Sequence, residues 1–220
     1  MVSEMIKKIT KKIIILIILT AVVLTSCSDD ILRFRNDGNT GNLIDDENGR
    51  YYIFCKGYLQ AAAISPVIYA KGDGKPNEKL YEVYGIDPSE WLSEDITKGI
   101  AFLFREQSVE EPKLEDFETK KIYIVETGEK DTPVGWIDDE EDIKTIVEDY
   151  LYNSETAYPD IITDYFNFNF ESEKYSGIYY VLQYLVDERN NAYLYNRWTG
   201  RCVSCRVKLF GGSGVGVDID

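Results

Sequence analysis

Apolar and polar positions alternate with two different periods along this chain. Ile143, Ile146, Val147, Tyr150 and Leu151 recur at i, i+3, i+4, i+7 and i+8, which is one face of a helix. The spacing predicts a helix over Asp139–Tyr152, with Asp138 as its cap and Glu141 three residues on. Asp139, Glu140, Glu141 and Asp142 then fall in its first turn, where the helix dipole favours negative charge. That suffices to explain these acids without a metal. The other period is two. Phe166, Phe168 and Phe170 alternate with Asn167 and Asn169, a half-buried strand. Gly177–Val186, Ala192–Trp198 and Arg201–Phe210, separated by Asp187–Asn191 and Thr199–Gly200, extend this into a β-meander. Earlier strands are expected over Tyr51–Leu59, Ile64–Ala70, Leu80–Ile86, Gly99–Phe104 and Lys121–Thr127. Gly72–Asn77 has loop chemistry. Asp87-Pro88-Ser89-Glu90 has the residues of a helix start, predicting a turn or two through Trp91 and Leu92. The fold class expected from these elements is α+β: an antiparallel sheet with a C-terminal β-meander and one main amphipathic helix at about 139–152.

Composition divides the rest. Residues 28–50 are rich in Asp, Asn and Gly and bury little apolar surface, so 27–50 is expected to be a flexible tether. Asp45–Gly49 hints at a calcium loop, but counting back from Gly49 puts Ile44 at the first ligand position. Residues 51–210 are expected to form a single acidic domain, and the Gly-rich 211–220 a flexible tail without phosphate-loop context.

The first residues follow neither period. Lys7, Lys8, Lys11 and Lys12 precede an uncharged run from Ile13 to Leu24, and small polar residues then lead to Cys27. A basic region, a short apolar core and a small-residue cleavage site are the parts of a secretory signal. The apolar run is short for a membrane span, which needs about 20 residues. Leu24-Thr25-Ser26-Cys27 resembles the lipobox of bacterial lipoprotein precursors. The resemblance covers these 27 residues only. It implies a diacylglyceryl thioether on Cys27, cleavage between Ser26 and Cys27, and attachment to a membrane of the bacterial cell envelope, facing outside the cytoplasm. Two acyl chains give a stable anchor where one gives a marginal one. An uncleaved anchor helix and an ordinary signal peptide with a chance Cys are the competing readings.

Charge and composition narrow the function classes. Four Lys and one Glu lie before Cys27, so the chain from Cys27 onward carries a net −18, against −15 for the whole. Such a domain lacks the basic footprint that nucleic acid requires, so no nucleic-acid partner is expected. Its contact with a membrane is expected through the lipid on Cys27 alone. The acidity serves solubility or suits a cationic partner. The chain has no His, which excludes Ser-His-Asp and Cys-His catalysis and removes the commonest transition-metal ligand.

Three chemistries remain. Cys202-Val203-Ser204-Cys205 has dithiol spacing, but it lies in an alternating stretch. Residues three apart on a strand face opposite ways, ~10 Å apart, beyond the ~7 Å reach of a disulfide. Cys202 is therefore expected outward and Cys205 inward, leaving Cys55 as a core residue or as a partner of either. The 17 Tyr and three Trp offer a binding face, for which Trp91, Trp136, Trp198, Tyr193 and Tyr195 are the candidates; β-propensity alone also explains the Tyr content. Carboxylate pairs are abundant, but no spacing singles one out. The expected function is a non-enzymatic binding module on a lipid-anchored envelope protein, with a protein, peptide or glycan partner. No catalytic residue, metal or cofactor is assigned. The alternatives are a carboxylate-based glycan-acting enzyme and a thiol-redox envelope protein. A shallow Tyr/Trp-lined sheet face would favour the binding module, and a deep cleft with paired carboxylates the enzyme.

Overall fold

The computed structural model describes residues 31–38, 40–73, 79–95, 101–128 and 131–209. The lipobox, Ser26, Cys27 and the 211–220 tail lie outside the described residues. In chain order the strands are β1 (Leu32–Asn36), β2 (Leu43–Asp45), β3 (Arg50–Phe54), β4 (Leu59–Ala61), β5 (Ile64–Asp73), β6 (Lys79–Val83), β7 (Trp91–Ser93) and β8 (Leu103–Glu106). They continue with β9 (Thr119–Glu126), β10 (Thr132–Ile137), β11 (Ile162–Ser172), β12 (Ile178–Asp187), β13 (Ala192–Tyr195) and β14 (Cys202–Cys205). A helix α1 (Glu140–Tyr152) joins β10 to β11.

The expected α+β class is wrong: the protein is mostly β. Seven strands close into a barrel in the order β1-β2-β3-β8-β7-β6-β5, and a second sheet runs β10-β9-β11-β12-β13-β14, with β4 pairing β12. The barrel closes where β1 pairs parallel with β5, Phe34 beside Gly72. The stretch expected to be a tether therefore supplies two barrel strands. In β1, Leu32 and Phe34 alternate with Arg33 and Arg35, and Phe34 is fully buried. Asp45 is buried as well, and its carboxylate accepts from the backbone N–H groups of Glu47 and Asn48, closing the β2–β3 turn. The polarity that looked like disorder is turn chemistry and barrel exterior.

Other expectations change locally. Tyr51–Leu59 is not one strand; the chain leaves the barrel after Phe54 and joins the second sheet at Leu59. Asp87 does start a turn, accepting from the N–H of Ser89, but Trp91 and Leu92 then pair with β8 as strand. Burial of Trp91 on one side and Leu92 on the other outweighs the helix-start signal. The α1 helix forms where its periodicity places it, and its cap is Asp139 rather than Asp138, accepting from the N–H groups of Glu141 and Asp142. Its buried face, Ile143, Ile146 and Tyr150, joins the main core.

Barrel and sheet share that core. Trp91, Val83 and Leu103 point out of the barrel into the same cluster as Phe168, Phe170, Tyr180 and Tyr184 of the second sheet. Phe168 and Tyr184 stack with centroids 4.7 Å apart. A smaller cluster, Phe34, Leu43, Tyr52, Ala70, Leu80, Leu92 and Phe104, fills the barrel interior. The barrel's two ends differ. At one, the Tyr52 hydroxyl donates to the carbonyls of Pro88 and Ser89, so a turn plugs the bottom. At the other, a cavity of about 310 Å³ remains.

Candidate functional site

The second sheet has one face on the core and one directed outward. Opposed residues in an antiparallel pair share a face, so the registers define the outer surface row by row. Trp136 lies beside Tyr123, Tyr123 beside Asn169, and Asn169 beside Val181. The next row is Val125, Asn167, Gln183, Tyr195 and Cys202. These two rows hold no charged side chain, on a chain whose net charge is strongly negative. The flanking row holds both signs, Lys121 beside Glu171.

Side chains on this face are held by one another. The Tyr123 and Tyr179 rings meet edge to face at 5.8 Å, and the Tyr123 hydroxyl donates to Glu171 at 3.5 Å. The Lys121 ammonium sits 5.7 Å from the ring centres of both Tyr123 and Trp136. Cation–π contacts of this kind contribute ~0.5–1 kcal/mol at exposed sites. The Trp136 indole N–H donates to Asp138 at 3.1 Å. Desolvation, followed by the nearby Tyr123 and Glu171, pushes the Tyr179 phenol up to about 12, so it remains a hydrogen-bond donor at neutral pH. The Asn169 Oδ1 is buried without a hydrogen-bond partner.

The five aromatic candidates do not form one patch. Trp91 is a core residue, 4 % exposed, and cannot contact a ligand. Trp136 and Tyr195 share the outer face but stand four strand spacings apart, roughly 19 Å at ~4.8 Å each. Trp198 belongs to the β13–β14 turn, where it packs edge to face on Phe102 and over Gly57. Tyr195 is partly covered by Tyr158, with ring centres 4.8 Å apart. Tyr193 donates to Asp187, which also accepts from the N–H groups of Arg189 and Asn191. Tyr123, Tyr179, Asn167, Asn169 and Gln183 were missed as candidates. Asn167 and Asn169 were visible as the polar half of the Phe/Asn alternation, but their neighbours on β9 and β12 follow only from register.

The three described thiols are shielded from solvent. Cys55, Cys202 and Cys205 are buried and unbridged. Burial pushes Cys202 up to about 11 and Cys55 and Cys205 up to about 12, so the reactive thiolate is scarce at neutral pH. Cys202 and Cys205 do occupy opposite faces, but Cys202 is not open to solvent. The chain after α1 pairs along the edge of β14, with the Thr156 N–H donating to the Cys202 carbonyl at 2.8 Å.

Several carboxylates are committed to structure. Hydrogen bonding to the Asn191 side chain holds Asp187 down to about 2. Asp149 is fully buried and accepts from the Arg206 backbone N–H and Nε, both at 2.7 Å. Glu111 accepts from the Tyr58 hydroxyl and pairs with Arg105 Nε at 3.5 Å where the barrel meets the sheet. Among the described residues, no group of three or more Cys, Asp or Glu is placed to hold a metal ion, and no helix is long and apolar enough to cross a membrane.

Comparison with protein-family models, with curated proteins and with solved structures finds no match for this chain.

Proposed function

We propose that this protein is a lipid-anchored lipoprotein of a bacterial cell envelope, and that its folded part is a non-enzymatic binding module for a neutral glycan. The observation that carries the reading is the pair of uncharged rows on the outer face of the second sheet, bordered on one side by Lys121 and Glu171. A sugar ring presents C–H groups that pack on Tyr and Trp faces, and hydroxyls that pair with amides and phenols. Tyr123, Trp136 and Tyr179 supply rings with polar tips, and Asn167, Asn169 and Gln183 supply both donors and acceptors. A cationic partner would be drawn to the acidic remainder of the surface rather than to these rows. Anchoring rests on Cys27: with two acyl chains on that sulfur, the acidic domain needs no direct contact with anionic headgroups.

Co-sedimentation tests the binding. The mature chain, kept unlipidated by Cys27→Ser, is mixed with insoluble envelope polysaccharide. Wild type should pellet with it, and Tyr123→Ala with Trp136→Ala should reduce the bound fraction at least tenfold, a loss of about 1.4 kcal/mol or more. Equal pelleting of wild type and the double variant would contradict the reading. Fatty-acid labelling tests the anchor separately, since Cys27→Ala should abolish incorporation.

A further inference from the structure

We propose that the glycan-binding rows run into a cavity that takes the terminal sugar residue of the chain, so that the protein recognises glycan ends. The inference deepens the glycan reading and rests on it.

The cavity follows from the sequence where β4 meets the start of β12. Past the Ala61–Ile178 pair, the Ala62 N–H donates to the Gly177 carbonyl at 2.8 Å. Two residues with almost no side chain are thus opposed, and both line the space beside them, about 250 Å³. That is below the ~300–1,000 Å³ of sites for drug-sized ligands, so it suits one ring and not a run of them. The cavity is continuous with the outer face of the sheet. Tyr179 lines it and meets Tyr123 edge to face at 5.8 Å. Glu171 lines it too, and accepts from the Tyr123 hydroxyl. A chain lying across Tyr123 therefore reaches the cavity without leaving the protein surface.

The walls carry the groups that a ring of hydroxyls needs. Ser172 is 3 % exposed, and its hydroxyl accepts from the N–H groups of Lys174 and Tyr175 at 3.1 and 3.3 Å, which leaves its own O–H as a donor. Lys120 and Glu173 set an ammonium donor and a carboxylate acceptor 3.2 Å apart on the same lining. Both side chains are largely exposed, so their ion pair contributes little and opens to a sugar hydroxyl at small cost. The Tyr179 ring supplies the surface on which the C–H groups pack. The strands stop here, and the turn between β11 and β12 gives the cavity Glu173 and Gly177. A ring in the cavity has the sheet on one side only, so the glycan continues along the outer face in one direction and ends in the other.

Competition with soluble fragments separates end recognition from binding along the chain. A short and a long fragment of the envelope polysaccharide, both long enough to span from the cavity to Trp136, compete with the insoluble polymer for the unlipidated mature chain in the co-sedimentation assay. Per mole of fragment the two should compete equally, because each has the same number of ends. Competition that rises in proportion to fragment length reports sites along the chain and would overturn the proposal. Ala62→Phe should fill the cavity, leave the circular dichroism spectrum unchanged and weaken both fragments about tenfold, the scale at which a pocket rejects a group that no longer fits. Glu173→Ala, at an exposed turn position, should weaken them about fivefold, the scale of one hydrogen bond, and it decides the matter if Ala62→Phe fails to fold. Wild-type competition in both cavity variants would overturn the end site and leave the glycan reading standing if Tyr123→Ala with Trp136→Ala still loses binding. A wild-type chain that does not pellet with the polysaccharide would contradict both.

Discussion

The barrel and the second sheet are built from the same kinds of residue and solve opposite problems. The sheet has long strands: β11 has 11 residues and β12 has 10. Its inner face is filled by aromatic and aliphatic side chains, and α1 helps cover that side. The barrel is made of mostly short strands, with β2 and β7 three residues each. It gains its order from closure, because a closed sheet removes its own edges. The difference teaches where each region can bind. A filled sheet can offer only its surface, whereas a small closed barrel can leave room inside.

Perturbations at the junction should break this arrangement most strongly. Gly177 precedes β12 with φ of +89°, and a Cβ there would lie 2.3 Å from the Tyr84 carbonyl, just after barrel strand β6. Gly177→Val is expected to cost ~4 kcal/mol or more, combining left-handed strain with backbone overlap. Chemical denaturation should show a large fall in midpoint or no folded baseline. A fall of less than ~1 kcal/mol would mean that barrel and sheet are not locked together at this point.

A second variant tests the sheet side alone. Asp149 lies in the last turn of α1, the unfavourable end of the helix dipole for an acid. It is tolerated there because Arg206 and Asn153 donate to it. Asp149→Ala should cost ~2 kcal/mol; the figure is held down because Arg206 can return to water. Urea unfolding measures it.

Gly57 gives a smaller and local effect. A Cβ at this position would fall 2.4 Å from the Trp198 ring, which is 39 % exposed and can swing away. Gly57→Ala should cost ~1 kcal/mol and shift Trp fluorescence to the red as the indole enters water. An unchanged spectrum would show that Trp198 does not close the barrel–sheet seam.

The smallest effect is a pH dependence. Asp187 has a depressed pKa of about 2 in the folded state. Its contribution to the β12–β13 turn is therefore complete above the unfolded carboxylate value of ~3.9 and fades as pH falls toward the folded one. The Asn191 amide and Tyr193 ring resonances should titrate with a midpoint near 2. A midpoint near 4 would mean that the turn does not hold the carboxylate.

The sequence exposed these two regions unequally. In the sheet, Phe166, Phe168 and Phe170 on one side and Asn167 and Asn169 on the other state the period directly, and α1 states its own. In the barrel, Leu32-Arg33-Phe34-Arg35 carries an equally regular alternation, but only two apolar residues mark it, within a stretch dominated by Asp, Asn and Gly. Closure depends on β1 meeting β5 some forty residues later, and no local pattern encodes that pairing. Composition ranked the Trp residues as the binding candidates. Burial removed Trp91, and register distributed the rest across the sheet. The amide positions between the Tyr rings became visible only once the strands were placed side by side.

Resonance mapping with a soluble fragment of the envelope glycan tests the central claim most directly. On titration into the isotope-labelled mature chain, shifts should concentrate at Tyr123, Trp136, Asn167, Asn169, Tyr179 and Gln183, with β1–β3 and β5–β8 silent. Shifts confined to the barrel, or no shifts at millimolar glycan, would contradict it.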